Sequence, residues 1–188
     1  MKLKFTVSTN INSQETFGAV DTPMLLLGKL TGHGLGSHFQ ALDLSVGGVI
    51  SEEIEKKGFS GERGKHFVIP LDQEDAPEKI MVVGLGSPDK FDTKALSQVI
   101  GMAVANAIKQ DCRKLSVPIL PNRQTQGINL RGQAHIIKRA AQLKLATAPY
   151  DQLPGEFEIE LVCTPQAKTH LEKGLKCQNI APNGVCCD

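Results

Sequence analysis

The decisive stretch is "EKIMVVGLGSPDKFDTKALSQVIGMAVANAIKQ", from Glu78 to Gln110. Its apolar run, Ile80 to Val83, predicts a strand and gives way to Gly84-Leu85-Gly86. Asp92 then stands where a capping acceptor belongs, ahead of a helix. Leu96, Val99, Ile100, Ala103, Val104, Ala107 and Ile108 place one apolar stripe along that helix. The glycine turn resembles a nucleotide-binding loop only at first sight. The third glycine of a G-x-G-x-x-G fingerprint would fall at Asp89, whose charge repels a pyrophosphate, and Pro88 removes an N–H that would contact it. The lysine and hydroxyl of a Walker loop are missing too. These glycines read first as a strand exit that needs unusual backbone angles.

Upstream, "KLKFTV" (Lys2 to Val7) alternates polar and apolar residues as a half-buried strand does. "PMLLLG" (Pro23 to Gly28) predicts a strand buried on both faces. A helix is expected from Asp43, with Val46, Val49, Ile50 and Ile54 on its apolar side and Gly58 as its stop. "GKHFVIPL" predicts a strand that pairs antiparallel with the one beginning at Glu78, across "DQEDAP". Downstream, "KLSVPIL" predicts a strand in which Pro118, lacking an N–H, belongs near an edge or an end. Thr125 to Ala146 predicts a long helix, "EFEIELVC" the last strand, and Pro165 to Lys173 a short helix. Strands interleaved with helices imply an α/β fold, three layers α/β/α around a mixed central sheet. One domain over residues 1–173 and a loose tail over 174–188 are expected.

The 188 residues suffice for one well-buried domain. A net charge of +1 supplies no overall field toward nucleic acid or a membrane, and no apolar run reaches the ~20 residues of a membrane helix. A cytoplasmic protein is expected. The five cysteines follow no disulfide framework, so reduced thiols are the simpler reading.

Three groups of residues stand out as candidate sites. The loop from Gly28 to His38 offers backbone N–H groups at Gly32, His33, Gly34 and Gly36 that could cradle an anion, although a surface loop explains it as well. His33 and His38 lack the spacing and the nearby carboxylate of a metal site. Arg131, His135, Lys138, Arg139 and Gln142 recur along one side of the long helix. Arg131, Lys138 and Arg139 are the candidates for phosphate contact there, against the plainer reading of a solvated face. His170 with Cys177, Cys186 and Cys187 has poor zinc spacing. No G-x-S-x-G elbow occurs. These patterns name a fold class, and no catalytic residue, cofactor or metal.

Taken together, the segments resemble the N-terminal domain of the leucyl aminopeptidase (cytosol aminopeptidase) family. "LDLSVGGVISEEIEKKGFSGERGKHFVIP" is similar to the family's helix, its Phe-x-Gly-x-x-Gly turn at Phe59, Gly61 and Gly64, and the strand beyond. "KIMVVGLGSPDKFDTKALSQVIGMAVANAI" is similar to its strand, Gly-Leu-Gly turn and helix. The resemblance implies a macro-domain-like fold in which Gly84 and Gly86 leave a strand. The family's metal-binding signature, Asn-Thr-Asp-Ala-Glu-Gly-Arg, has no counterpart here, so no catalytic or metal-binding residue carries over. It implies a non-catalytic domain acting in assembly or regulation, with a full-length aminopeptidase or a second copy as partner. A macro-domain relationship implies an alternative, a nucleotide or ADP-ribose module using Gly32, His33, Gly34, Gly36, Gly84 and Gly86. Some bacterial members bind DNA, which makes nucleic acid a weaker third partner. A further alternative is that these residues belong to a longer dimetal aminopeptidase.

Overall fold

The computed structural model describes residues 1–11, 22–73, 76–120, 128–180 and 186–187. Six strands form one sheet in the order β1-β6-β5-β2-β4-β3. They are β1 (Lys2–Ser8), β2 (Leu25–Leu30), β3 (His66–Pro70), β4 (Lys79–Gly86), β5 (Lys114–Pro118) and β6 (Glu156–Val162). All neighbours run parallel except β3, which pairs antiparallel with β4. Pro118 closes β5, where its missing N–H costs the ladder nothing. Two further short strands, β7 (Asn179–Ile180) and β8 (Cys186–Cys187), pair with each other outside the sheet.

The helices are α1 (Ser37–Ser45), α2 (Val49–Lys56), α3 (Thr93–Lys109), α4 (Leu130–Leu145) and α5 (Pro165–Lys176). Asp92 caps α3 as its position predicts, its carboxylate accepting from the Ala95 N–H at 2.7 Å. Leu96, Val99, Ile100, Ala103, Val104 and Ala107 are all buried beneath it. Asn129 caps α4 in the same way, through the Gly132 N–H at 2.7 Å. The expected helix start at Thr125 falls on residues outside those described, and α4 itself begins at Leu130.

The helix expected from Asp43 is two helices. Gly47 and Gly48 take φ of 76° and 83°, which ends α1 and turns the chain into α2. Val46, Val49, Ile50 and Ile54 still face one core, because both helices lie on the same side of the sheet.

Two cores flank the sheet. One packs α3, α4 and α5 against Leu26, Met81, Val83, Leu115, Val117, Phe157, Ile159 and Leu161. The other packs α1 and α2 against Leu25, Leu27, Ile69, Ile80 and Val82, on the β2, β4 and β3 half. Across the sheet on that second face, one register row reads Ile69, Ile80, Leu25, Ser116, Glu160 and Thr6. It is apolar over half the sheet and polar over the rest.

Glu160 is buried at 7% exposure and must be compensated. Its carboxylate accepts from the Ser116 hydroxyl at 2.6 Å and pairs with Lys114 Nζ at 3.0 Å. The Ser116 oxygen also lies 2.9 Å from the Thr22 hydroxyl, within hydrogen-bond distance. Burial pushes the Glu160 carboxyl up, but the Ser116 hydroxyl and Lys114 outweigh it and hold it below the ordinary carboxylate value. Its stabilising contribution is therefore full above pH ~4.5 and is lost as pH falls through the lowered folded value. Glu160→Gln should cost about 1.5–3 kcal/mol at neutral pH and flatten the acid limb of the stability curve. Urea unfolding from pH 7 to pH 3 checks this; parallel wild-type and variant curves would contradict it.

Candidate binding rim at the carboxyl ends of β2 and β4

Strands β2 and β4 end side by side, with Leu30 opposite Gly86 and the Thr31 N–H donating to the Gly86 carbonyl at 3.0 Å. The loop over residues 31–36 leaves this rim. Lys29 Nζ donates to the His33 carbonyl at 2.8 Å, and the Gln40 amide donates to the Leu35 carbonyl at 2.8 Å. Gly32, His33, Gly34 and Gly36 are exposed, and open space surrounds Gly32 and Gly34. These loop residues do gather at one end of the sheet with Gly84 and Gly86.

The two strand-exit glycines are used differently. A Cβ at Gly84 would lie 1.9 Å from the Glu62 carbonyl oxygen, and one at Gly61 would lie 2.7 Å from the Lys29 carbonyl. The Phe59–Lys65 turn thus presses directly onto the ends of β2 and β4. The Gly84 N–H donates to the Lys65 carbonyl and the Gly86 N–H to the Gly61 carbonyl, both at 2.9 Å. The Arg63 side chain lies beside Gly86 and its guanidinium donates to the Lys90 carbonyl. At Gly84 the space a ligand would need is filled by the chain's own backbone.

Asp43, which sequence reasoning treated only as a helix start, is buried at 7% exposure. Its carboxylate accepts from the Ile50 N–H at 2.8 Å, the Ser51 N–H at 3.1 Å and the Ser51 hydroxyl. It therefore caps α2, whose preceding residue Gly48 has no side chain to do so. The positive end of α2 is neutralised from within. A double glycine preceded by an aspartate was the available signal.

The basic stripe on α4 is a solvated face only in part, at Arg139 and Gln142, which corrects that expectation for His135 and Lys138. His135 is buried with Nδ1 3.0 Å from the Cys177 carbonyl, and Lys138 Nζ donates to the Leu175 carbonyl at 2.7 Å. Gly174 of α5 approaches so closely that a Cβ there would lie 2.3 Å from the Arg131 carbonyl. Helix α5 covers this side of α4 and supplies carbonyls to its polar groups; Arg139 and Gln142 remain exposed. Arg131, Lys138 and Arg139 do not form one continuous open strip.

Among the described residues, no group of three or more His, Cys, Asp or Glu side chains is arranged to hold a metal ion. No helix among them is long and apolar enough to cross a membrane. Cys112 and Cys163 are free and buried, and burial pushes the Cys163 thiol up to about 11. Cys177 is disulfide-bonded, which departs from the expectation of reduced thiols throughout.

The strand order, the single antiparallel edge and the helices on both faces define a macro-domain-like α/β protein. The Trypanosoma brucei macrodomain in complex with ADP has this fold, with a TM-score of 0.66 and 13% identity over 93% of this chain and 69% of that one. A tomato leucine aminopeptidase mutant has it too, with a TM-score of 0.62 and 15% identity over 92% of this chain and 35% of that one. Residues 27–147 match the cytosol aminopeptidase family, N-terminal domain, and the chain belongs to that family. A probable cytosol aminopeptidase of Cupriavidus taiwanensis is 30% identical over 91 residues, 48% of this chain. The match spans only 18% of that relative's length.

The rim geometry is testable through its glycines. Gly84→Ala should destabilise the fold by about 1–3 kcal/mol or more, since the opposing atom is backbone and cannot rotate away. Gly101→Ala, in α3 with nothing within 4 Å, should be neutral or stabilise by up to ~1 kcal/mol. Chemical denaturation of the two variants checks the contrast; equal effects would contradict it.

Proposed function

We propose that this chain is a non-catalytic assembly or regulatory module of the cytosol aminopeptidase type, working by contact with a protein partner. The observation that carries this reading is the match to the family's N-terminal domain over residues 27–147. The shared fold supports it, because it takes up 92% of this chain but 35% of the tomato leucine aminopeptidase chain. The polar groups of the interior point the same way. Asp43 caps a helix and Glu160 is held by Ser116 and Lys114. His135 lies against a helix-end carbonyl. Each is engaged in holding the fold. The partner this reading favours is a full-length aminopeptidase or a second copy of the chain. Within a longer polypeptide the module would play the same part beside a catalytic half.

The purified 188-residue chain should hydrolyse leucyl-p-nitroanilide no faster than buffer, with manganese or zinc present. It should also co-sediment with a full-length cytosol aminopeptidase. Metal-dependent turnover proportional to the concentration of this chain would overturn the reading.

A second reading, a nucleotide or ADP-ribose module, is favoured by the open loop at Gly32, His33, Gly34 and Gly36. Ligands of open α/β sheets sit beyond the carboxyl ends of strands, and one structural neighbour was solved with ADP. Against it, the backbone of Glu62 already fills the space at Gly84 on the same rim. Titration calorimetry with ADP separates the two readings. The assembly module should give no saturable heat at millimolar nucleotide. Saturable heat that disappears in Gly32→Val, where φ is +77°, would establish the second reading instead.

A further inference from the structure

We propose that the outer edge of β1, with the groove beside it, is a strand-docking site. Its occupant is an extended polypeptide segment of alternating acidic and apolar residues. This rests on the assembly reading and names the surface through which such a contact would be made.

Strand β1 ends the strand order, and no described strand pairs with its outer side. The direction of its backbone groups follows from the bonds it does make. The Lys2 N–H donates to the Gly155 carbonyl at 2.8 Å, and the Ser8 carbonyl accepts from the Cys163 N–H at 3.0 Å. In a parallel ladder alternate residues turn both backbone groups to the same neighbour. Lys2, Lys4, Thr6 and Ser8 therefore serve β6, while Leu3, Phe5 and Val7 direct N–H and C=O outward. Such a row is a template for an added strand.

The side chains specify what kind of strand fits. Toward the helices, Phe5 and Val7 floor a groove of about 510 Å³ completed by Leu175, Lys138, Lys176 and Glu172. Toward the opposite face stand Lys2 and Lys4, with Lys4 48% exposed despite its pair with Glu158 at 3.1 Å. An incoming strand thus meets Phe5, Val7 and Leu175, rimmed by Lys138, Lys176 and Glu172, on one side and the ammonium groups of Lys2 and Lys4 on the other. The inner neighbour shows the complement at work: β6 reads Glu156-Phe157-Glu158-Ile159-Glu160, with Glu156 in register with Lys2 and Glu158 with Lys4. Charge on the flanking helices reinforces the preference. Helix α4 carries Arg131, Lys138, Arg139 and Lys144 with no acidic residue, and α5 carries Lys168, Lys173 and Lys176 against Glu172 alone.

The test uses the full chain and a fluorescein-labelled, end-capped peptide copying residues 155–162, followed by fluorescence anisotropy. Saturable binding is expected below millimolar protein, weakening as salt rises. A peptide with alternate amides N-methylated should lose binding, because strand addition needs those donors. A peptide with lysine in place of each glutamate should bind at least ~10-fold more weakly. In the protein, Lys2→Glu with Lys176→Glu changes two exposed residues. This double variant should bind ~5-fold or more weakly with an unchanged circular dichroism spectrum. No saturation would overturn the proposal, as would full affinity of the N-methylated peptide. Self-association of the chain that the peptide fails to displace would also overturn it, assigning the edge to a second copy. Hydrolysis of leucyl-p-nitroanilide alongside normal peptide binding would instead sink only the proposed function. An inactive chain that ignores the peptide would sink only this inference.

Discussion

At Gly84 the carbonyl oxygen of Glu62 sits 1.9 Å from where any other residue would place its Cβ. That contact fixes how the Phe59–Lys65 turn crosses the sheet, and three other features depend on it. It brings the Lys65 carbonyl to the Gly84 N–H and the Gly61 carbonyl to the Gly86 N–H, so the end of β4 is hydrogen-bonded although no strand continues there. It delivers the chain into β3 with the register that puts His66 opposite Val83. It also places Arg63 beside Gly86, where the guanidinium ties down the Lys90 carbonyl ahead of α3. The glycines of the rim are thus answers to crowding on one side. On the other, at Gly32 and Gly34, nothing crowds them. Similar residues at one end of a sheet carry different physical meanings.

The second constraint is the unequal face of the sheet. Helices α1 and α2 cover only the β2, β4 and β3 half. Over the other half the register row turns to Ser116, Glu160 and Thr6. A carboxylate buried to 7% exposure survives there because its donors are fixed by strand register, not by a flexible loop. Thr6 donates to Glu158 at 2.7 Å, and Lys114 and Ser116 reach Glu160 from β5. The charges are matched across strands in the way the apolar residues are matched on the opposite face.

How legible this was depended on whether the cause was local. The β4–α3 unit could be read from Glu78 to Gln110, because burial of the strand, the Asp92 cap and the apolar stripe are each written in adjacent residues. Asp89 and Pro88 excluded a dinucleotide loop in the same way. The break between α1 and α2 was hidden because Val46, Val49, Ile50 and Ile54 face one core whether or not the helix is continuous; only the φ of Gly47 and Gly48 decides it. The stripe on α4 misled for a different reason. Polar side chains normally signal solvent, but α5 arrives from more than twenty residues away and offers carbonyls to His135 and Lys138. Glu160 is the same case in a strand. Its alternation with apolar neighbours is visible, and its burial is set by β5, which no local pattern reveals.

The two edges of the sheet show why the fold leaves one side approachable. Strand β3 is antiparallel, five residues long, and ends in Pro70, which cannot donate to an added strand. On its face toward α2, Phe59 packs edge-on to Phe67 at 5.0 Å and Lys57 lies over the Phe67 ring. Strand β1 has seven residues and no proline. Lys4 is drawn toward Glu158 of β6, so one of the charges that guard this edge is partly neutralised by the strand's own neighbour. An edge defended by lysine repels a second lysine-bearing copy of itself but not an acidic strand. Protection against indiscriminate pairing and selectivity for one kind of partner are then the same electrostatic property, and both are set by Lys2 and Lys4.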